Sequence, residues 1–305
     1  MRADLIDRLG CVGRTWTPQQ LLHVGNVAWS WSRGDGTPDP DLSLAWGEPL
    51  RAYADLWRAT LEPATATLHI DPGAGAIERS VILGELRSFD SAITLFASRQ
   101  DQAQLAALEA AGFVDAAGPW FAQLWRTMSD LSDLEELQPP AGYRIVAVDP
   151  ADPAAIRERV ELHRRSWRPD RIRRLLGMPD SGTTAESSYS EAKHRAVMAT
   201  PIYRPELDLV ALDPDGRWAG YALGWLDQPN GSLLIEPVGT DPDHVRRGLA
   251  RALCATLLRT ARDFGAREAV VGPRGDDRYP LPRRLYQGLG MREVAQFVRF
   301  SGPPR

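Results

Sequence analysis

A chain of 305 residues, 43% hydrophobic and 25% charged, has the composition of a globular protein with length for two domains, which excludes both a single small module and a disordered chain. A net charge of −4 without any run of basic residues excludes a dominant phosphate-neutralising surface for nucleic acid, and no stretch approaches the ~18 apolar residues of a membrane span. The two cysteines, Cys11 and Cys254, lie far apart, and the N-terminal segment has no charged-apolar-small signal pattern; both are read as free thiols of a cytoplasmic protein.

In the first half, 65–70 reads as a strand, 77–89 as a helix, 93–97 as a strand, 102–111 as a helix, and 112 onward as strands ending near 127. An acidic stretch then runs into Pro139-Pro140-Ala-Gly. A diproline cannot continue a helix and favours extended chain, so 131–142 is expected to be a linker between domains at 1–130 and 143–305. Beyond it, 143–148 reads as a strand, and Asp152-Pro153 caps a helix whose apolar face includes Ile156 and Val160. Residues 166–200 are polar, helical and loop-broken, which suits a substrate-side lid. An antiparallel meander follows at 207–212, 218–225 and 232–240, turned by Asp213-Pro-Asp-Gly216 and Pro229-Asn230-Gly231. Leu249, Leu253, Leu257, Ala261 and Phe264 recur at helical spacing over 247–264, with Gly265 as the stop. A strand at 267–272, a short helix at 281–289 and a strand at 292–300 complete the order βαα-βββ-αβαβ.

The first half echoes this tail. Asp71-Pro72 before a helix matches Asp241-Pro242, and Leu-Glu-Ala-Ala-Gly-Phe at 108–113 matches Tyr-Gln-Gly-Leu-Gly-Met at 286–291, at offsets of 170 and 178. Loop-length drift in a duplicated domain produces such a difference. If the two Asp-Pro pairs align, Glu78 takes the place of Gly248 and Ser80 that of Ala250, and counting four back from Gly112 puts Leu108 where Tyr286 stands, so the first copy is expected to be inactive for acyl transfer.

The chemistry is expected at 236–250, where a strand enters a helix through a short, basic, glycine-containing turn. Unpaired backbone N–H groups at a helix N-terminus form an anion site. Gly248 admits a phosphate to that backbone, and Arg246 and Arg247 add charge; a glycine-entered helix with solvated arginines is the alternative. No Cys/His spacing resembles a zinc site, so no metal is expected. His163 and His194 are weaker candidates for touching a substrate, His244 is expected to be exposed, and Trp167, Trp218 and Trp225 are read as core or as an aromatic wall.

This turn, with Gly248 and Ala250, followed by a strand and a helix carrying Leu285, Tyr286 and Gly290, resembles the GNAT superfamily of acyl-CoA N-acyltransferases. Val245, Tyr279 and Met291 depart from the usual family pattern. The resemblance covers 143–300 and more faintly 1–128, and looks like the tandem-GNAT arrangement of mycothiol synthase-like enzymes. It implies an α/β (α+β) fold of two tandem domains, each a mixed, mostly antiparallel, twisted sheet flanked by helices. It further implies acetyl-CoA as co-substrate, held by backbone groups of Val238, Gly239 and Thr240 at a splayed strand and by the turn Val245, Arg246, Arg247, Gly248, Leu249 and Ala250. Tyr286 falls where the family places the acid for the departing thiolate. Glu236, two residues before Val238 and so on its face by strand alternation, is a candidate base or else a charge satisfied by a nearby Arg. The implied function is N-acetylation of a primary amine of a small molecule, by a monomer or homodimer without nucleic-acid or membrane partners. A ligand sensor without turnover and a protein or peptide N-acetyltransferase are the alternatives.

Overall fold

The structure, a computed structural model, describes residues 6, 8, 23–30, 43–57, 65–89, 93–178 and 187–302; Cys11 lies outside them. The first half contains α1 (Val24–Ser30), β1 (Ser43–Trp46), β2 (Ala52–Trp57), β3 (Thr65–Ile70), α2 (Ala76–Phe89), β4 (Thr94–Ser98), α3 (Gln102–Ala110), β5 (Val114–Asp115) and β6 (Phe121–Thr127). Asp101 caps α3 by accepting from Gln104 N–H at 3.0 Å, and Gly112, at φ +79°, ends it. Of these elements α1, β1 and β2 are not legible in the sequence.

The second half contains β7 (Arg144–Ala147), α4 (Pro153–Ser166), α5 (Pro169–Leu175), α6 (Glu191–Met198), β8 (Asp208–Leu212), β9 (Trp218–Asp227), β10 (Ser232–Thr240), α7 (Leu249–Asp263), β11 (Glu268–Val271), α8 (Leu281–Gln287) and β12 (Arg292–Ser301). Asp152 caps α4 through Ala154 N–H at 2.8 Å, with Pro153 in the first turn, where a missing N–H does no harm. Arg159 on α4 and Asp208 on β8, both fully buried, pair at 2.9 Å and fix that helix to the meander. Removing one partner of such a pair strands the other charge in the core, typically at ~3–5 kcal/mol. Along α7, Leu249, Leu253, Leu257 and Ala261 form a buried stripe that joins the main apolar core.

The strands form one continuous sheet in the order β1-β2-β3-β4-β12-β6-β11-β10-β9-β8-β7, with β5 beside β12. Among the described residues, only β3 with β4 and β10 with β11 pair in parallel; the remaining pairs are antiparallel. The two halves exchange strands at the centre. β6 lies against β11, with Thr127 opposite Glu268, while β12 lies between β4 and β6, with Phe297 opposite both Ser98 and Phe121. Within 131–142, Leu131 and Leu134 are buried in the core shared with α7, and Arg259 on α7 donates to Leu134 O at 2.7 Å.

Candidate functional site

The site begins where β10 leaves its parallel neighbour. Pairing with β11 covers only Ser232 to Leu234, opposite Glu268 to Val270. Further on, β10 stays with β9 alone, with Val238 opposite Ala222, Gly239 opposite Tyr221 and Thr240 opposite Gly220. The strands splay, and the freed edge of β10 opens a cleft of about 600 Å³. Between Ile235 and Val238 the register shifts, three steps along β10 against two along β9. That bulge breaks the alternation expected to place Glu236 and Val238 on one face: Val238 lines the cleft and Glu236 does not. Gly239 is required here, because a Cβ at this position would come within 2.5 Å of the Tyr221 ring.

At one end of the cleft stands the N-terminus of α7. Gly248, at φ +82°, is its cap and has no heavy atom within 4 Å of where a Cβ would sit, so the approach to the backbone is open. Arg246 also has positive φ, at +64°. The first α-helical hydrogen bond here is Ala252 N–H to Gly248 O, leaving the N–H groups of Leu249, Ala250 and Arg251 without intrahelical acceptors. Side chains hold the preceding turn from outside: Arg165 binds Asp241 at 2.7 Å, Arg171 pairs with Asp243, and the Tyr143 hydroxyl meets His244 Nδ1 at 2.9 Å. His244 is thus half-buried rather than exposed.

At the other end lies Tyr286, on α8. Burial pushes its phenol well above the ordinary value, with Cys254, Glu236 and Tyr221 adding to the effect, so it is a protonated donor. Among the described residues no group hydrogen-bonds its hydroxyl, while the ring lines the cleft. The Cys254 thiol beside it is fully buried and pushed up to about 12, which makes it inert.

One cleft therefore gathers Val238, Gly239, Thr240, Val245, Arg246, Gly248, Leu249, Ala250 and Tyr286. Arg247 does not line it. Glu236, half-buried, accepts from Asn26 Nδ2 of α1 at 2.9 Å. The opposite wall comes from the α4 end and α5, through Trp167, Ile172 and Arg173. Trp167, half exposed, is fixed from behind: its indole N–H donates to the Tyr221 hydroxyl at 2.7 Å, which donates in turn to His163 Nδ1 at 2.9 Å. Burial drives the His163 pKa down to about 2, so this ring stays neutral. His194 is fully buried against Tyr189 and Asp208 and does not reach the cleft. Asn26 and Arg274, the latter a cleft residue, carry no spacing signal that sequence reasoning detects. Among the described residues no cluster of three His, Cys, Asp or Glu side chains could hold a metal ion.

The first half has the same corner with different contents. Its helix α2 starts at Ala76, so Gly75 is the counterpart of Gly248, and the pairing of Glu78 with Gly248 expected from the Asp-Pro echo is displaced by a shorter loop. Glu78 sits instead in the first turn, accepts from Gly75 N–H, and binds Arg51 through both oxygens at 2.9 and 3.0 Å. Arg51 also pairs with Asp71. Buried Arg79 donates to Ala74 O, Asp71 O and Pro72 O, lacing the loop from below.

Residues 172–291 match the Acetyltransferase (GNAT) family. Mycothiol acetyltransferase from Clavibacter michiganensis subsp. michiganensis (strain NCPPB 382) is 34% identical over 103 residues, which is 34% of this chain and 32% of that protein; the chain spans about a third of the length of the curated relatives it matches. Among solved structures, a tandem GNAT protein from the clavulanic acid biosynthesis pathway superimposes with a TM-score of 0.64 at 15% identity, covering 100% of this chain and 98% of its own. A GCN5-related N-acetyltransferase from Sphaerobacter thermophilus gives 0.54 at 20% identity over 92% and 85%. The chain thus shares the fold of a tandem GNAT protein, and the stretch that matches the GNAT acetyltransferase family, 172–291, is the one that carries the open helix terminus and Tyr286.

Proposed function

We propose that the protein is an N-acetyltransferase that passes the acetyl group of acetyl-CoA to a primary amine of a small molecule. The observation that carries the reading is the continuous cleft from the open N-terminus of α7, along the freed edge of β10, to the protonated Tyr286. Its parts suit the parts of the co-substrate: unpaired N–H groups and Arg246 for the pyrophosphate, the edge of Val238 to Thr240 for the amide-bearing arm, and a buried hydroxyl for sulfur.

In this reading Glu236 accepts a proton from the ammonium, directly or through water, and the freed amine attacks the acetyl carbonyl carbon. The Val238 N–H stabilises the oxyanion. As the C–S bond breaks, Tyr286 gives the leaving thiolate its proton and is re-protonated from the amine side. One N–C bond replaces one C–S bond; of the two protons the ammonium loses, one ends on the thiol and the other in solvent. Mycothiol acetyltransferase, as the name of a relative, makes a small amine an apt acceptor. The test is release of free thiol from acetyl-CoA against a panel of amino sugars, aminoglycosides, amino-acid derivatives and peptides. Turnover with a small amine supports the reading, turnover restricted to peptides replaces its acceptor, and tight acetyl-CoA binding without turnover on any amine makes the protein a sensor.

A further inference from the structure

A helix of the first half reaches the candidate base of the second. His23 caps α1: its Nδ1 accepts from Gly25 N–H at 3.0 Å, and Asn26 Oδ1 accepts from His23 N–H at 3.0 Å, a reciprocal cap. Because Nδ1 accepts, the ring proton is on Nε2, which donates to Ser232 O on β10 at 3.1 Å. Burial holds this histidine below its ordinary pKa, so it stays neutral. Gly25 lies so close to β9 that a Cβ there would come within 2.4 Å of Trp225 Cβ, and Trp225 Nε1 donates to Glu236 O at 2.7 Å. These contacts register α1 against β9 and β10. The cap also decides how the Asn26 amide faces: with Oδ1 committed to His23, Nδ2 is turned to Glu236 Oε2 at 2.9 Å.

We propose that Asn26, from the half whose own helix terminus is closed, is a positioning residue for the reaction centre of the other half, holding Glu236 ionised and oriented to receive the acceptor's proton. The proposal rests on the reading of Glu236 as the base. A hydrogen bond donated to the charged form of a carboxyl favours that form and fixes the oxygen that accepts it. Among the described residues the phenol of Tyr286 on α8 is coupled electrostatically to Glu236, and burial holds it protonated, so it brings no charge to the carboxyl.

The test uses the full chain labelled with glutamate carrying a ¹³C side-chain carboxyl, the Glu236 resonance being identified by its loss in Glu236→Gln. Asn26→Asp keeps an oxygen for the His23 cap and removes only the donor; Asn26→Ala removes both. The Glu236 titration midpoint is expected to rise by about one pH unit in Asn26→Ala and further in Asn26→Asp, where a like charge replaces the donor. Midpoints within about 0.2 unit of wild type in both variants overturn the proposal. With the best amine from the panel, Asn26→Ala is expected to lower kcat roughly tenfold at unchanged KM for acetyl-CoA, with no further loss in the Glu236→Gln background. Equal losses in both backgrounds make Asn26 merely structural and overturn it. Full turnover in Glu236→Gln removes the base reading together with the proposal, whereas unmoved midpoints remove the proposal alone.

Discussion

The two corners at the starts of α2 and α7 share a plan and differ in what fills it. In the first half Glu78 turns back to Gly75 N–H and is clamped by Arg51, so a carboxylate of the protein itself stands at the helix terminus, and Arg79 takes up the loop carbonyls beneath it. In the second half nothing does this, and Gly248 leaves the terminus open to an incoming anion. The short helices that follow show the same contrast. Phe113 N–H binds Leu108 O at 2.9 Å just as Met291 N–H binds Tyr286 O at 3.2 Å, so Leu108 and Tyr286 are structural equivalents, and only the second brings a hydroxyl. One scaffold therefore serves as a closed support or as a receptor according to a handful of side chains.

The largest effect is expected from erasing that hydroxyl. Tyr286→Phe, or Tyr286→Leu in imitation of the first half, should lower kcat by ~10²–10⁴-fold, the range of general acid catalysis, with acetyl-CoA affinity nearly unchanged because the interaction belongs to the transition state. Steady-state kinetics with the best amine checks this, and kcat within about twofold of wild type, with acetyl transfer limiting, would make Tyr286 a packing residue. Next comes Gly248→Glu, which places a carboxylate against the anion site and strains the backbone by roughly 1–2 kcal/mol at positive φ. Acetyl-CoA affinity should fall by about 100-fold, ~2.7 kcal/mol, in titration calorimetry. The shift in melting temperature that excess acetyl-CoA gives the wild type should vanish with it.

A smaller effect is expected at Glu78, whose carboxyl is held below its ordinary value first by the hydrogen bond from Arg51. A depressed folded-state pKa stabilises above the unfolded carboxylate value of about 4.3, and the contribution fades as pH falls through the folded value. Wild type should therefore exceed Glu78→Gln in melting temperature at neutral pH, with the gap closing in acid; a gap that widens as pH falls would contradict the ion pair. The smallest expected change is none. Acetyl-CoA should bind once per chain in both wild type and Glu78→Gly, since Asp71, accepting from Gly73 N–H, still sets a carboxylate in the loop before α2, and a second site in calorimetry would show that Glu78 alone keeps the first half closed.

Much of the second half is legible because punctuation and period agree. Asn230-Gly231 sets the start of β10 and Asp241-Pro242 its end, and the apolar stripe of α7 is complete in the sequence. What escapes depends on distance or on a single inserted residue. The bulge after Ile235 moves Glu236 off the face of Val238, and no composition rule announces it. Counting from Asp71-Pro72 puts Glu78 opposite Gly248 only if the loops are equally long, whereas α2 starts five residues after Asp71 and α7 eight after Asp241. Asn26 lies 210 residues from Glu236, and its role as a donor exists only once α1 is docked. Exchange of β6 and β12 is likewise invisible to periodicity, which tells which face of a strand is buried but not which strand lies beside it.

That exchange sets an order of events on the ribosome. When β6 emerges, its neighbours in the finished sheet, β11 and β12, have not been made, and β4 likewise lacks β12 on one side. At roughly 5–20 residues per second the wait for Ser301 lasts about 10 to 35 s. Throughout it the nascent chain presents backbone donors and acceptors with no sheet partner, the kind of edge through which unfinished proteins stick to one another. Synthesis of the two halves is sequential, but completion of the shared sheet is withheld until β12 has been made.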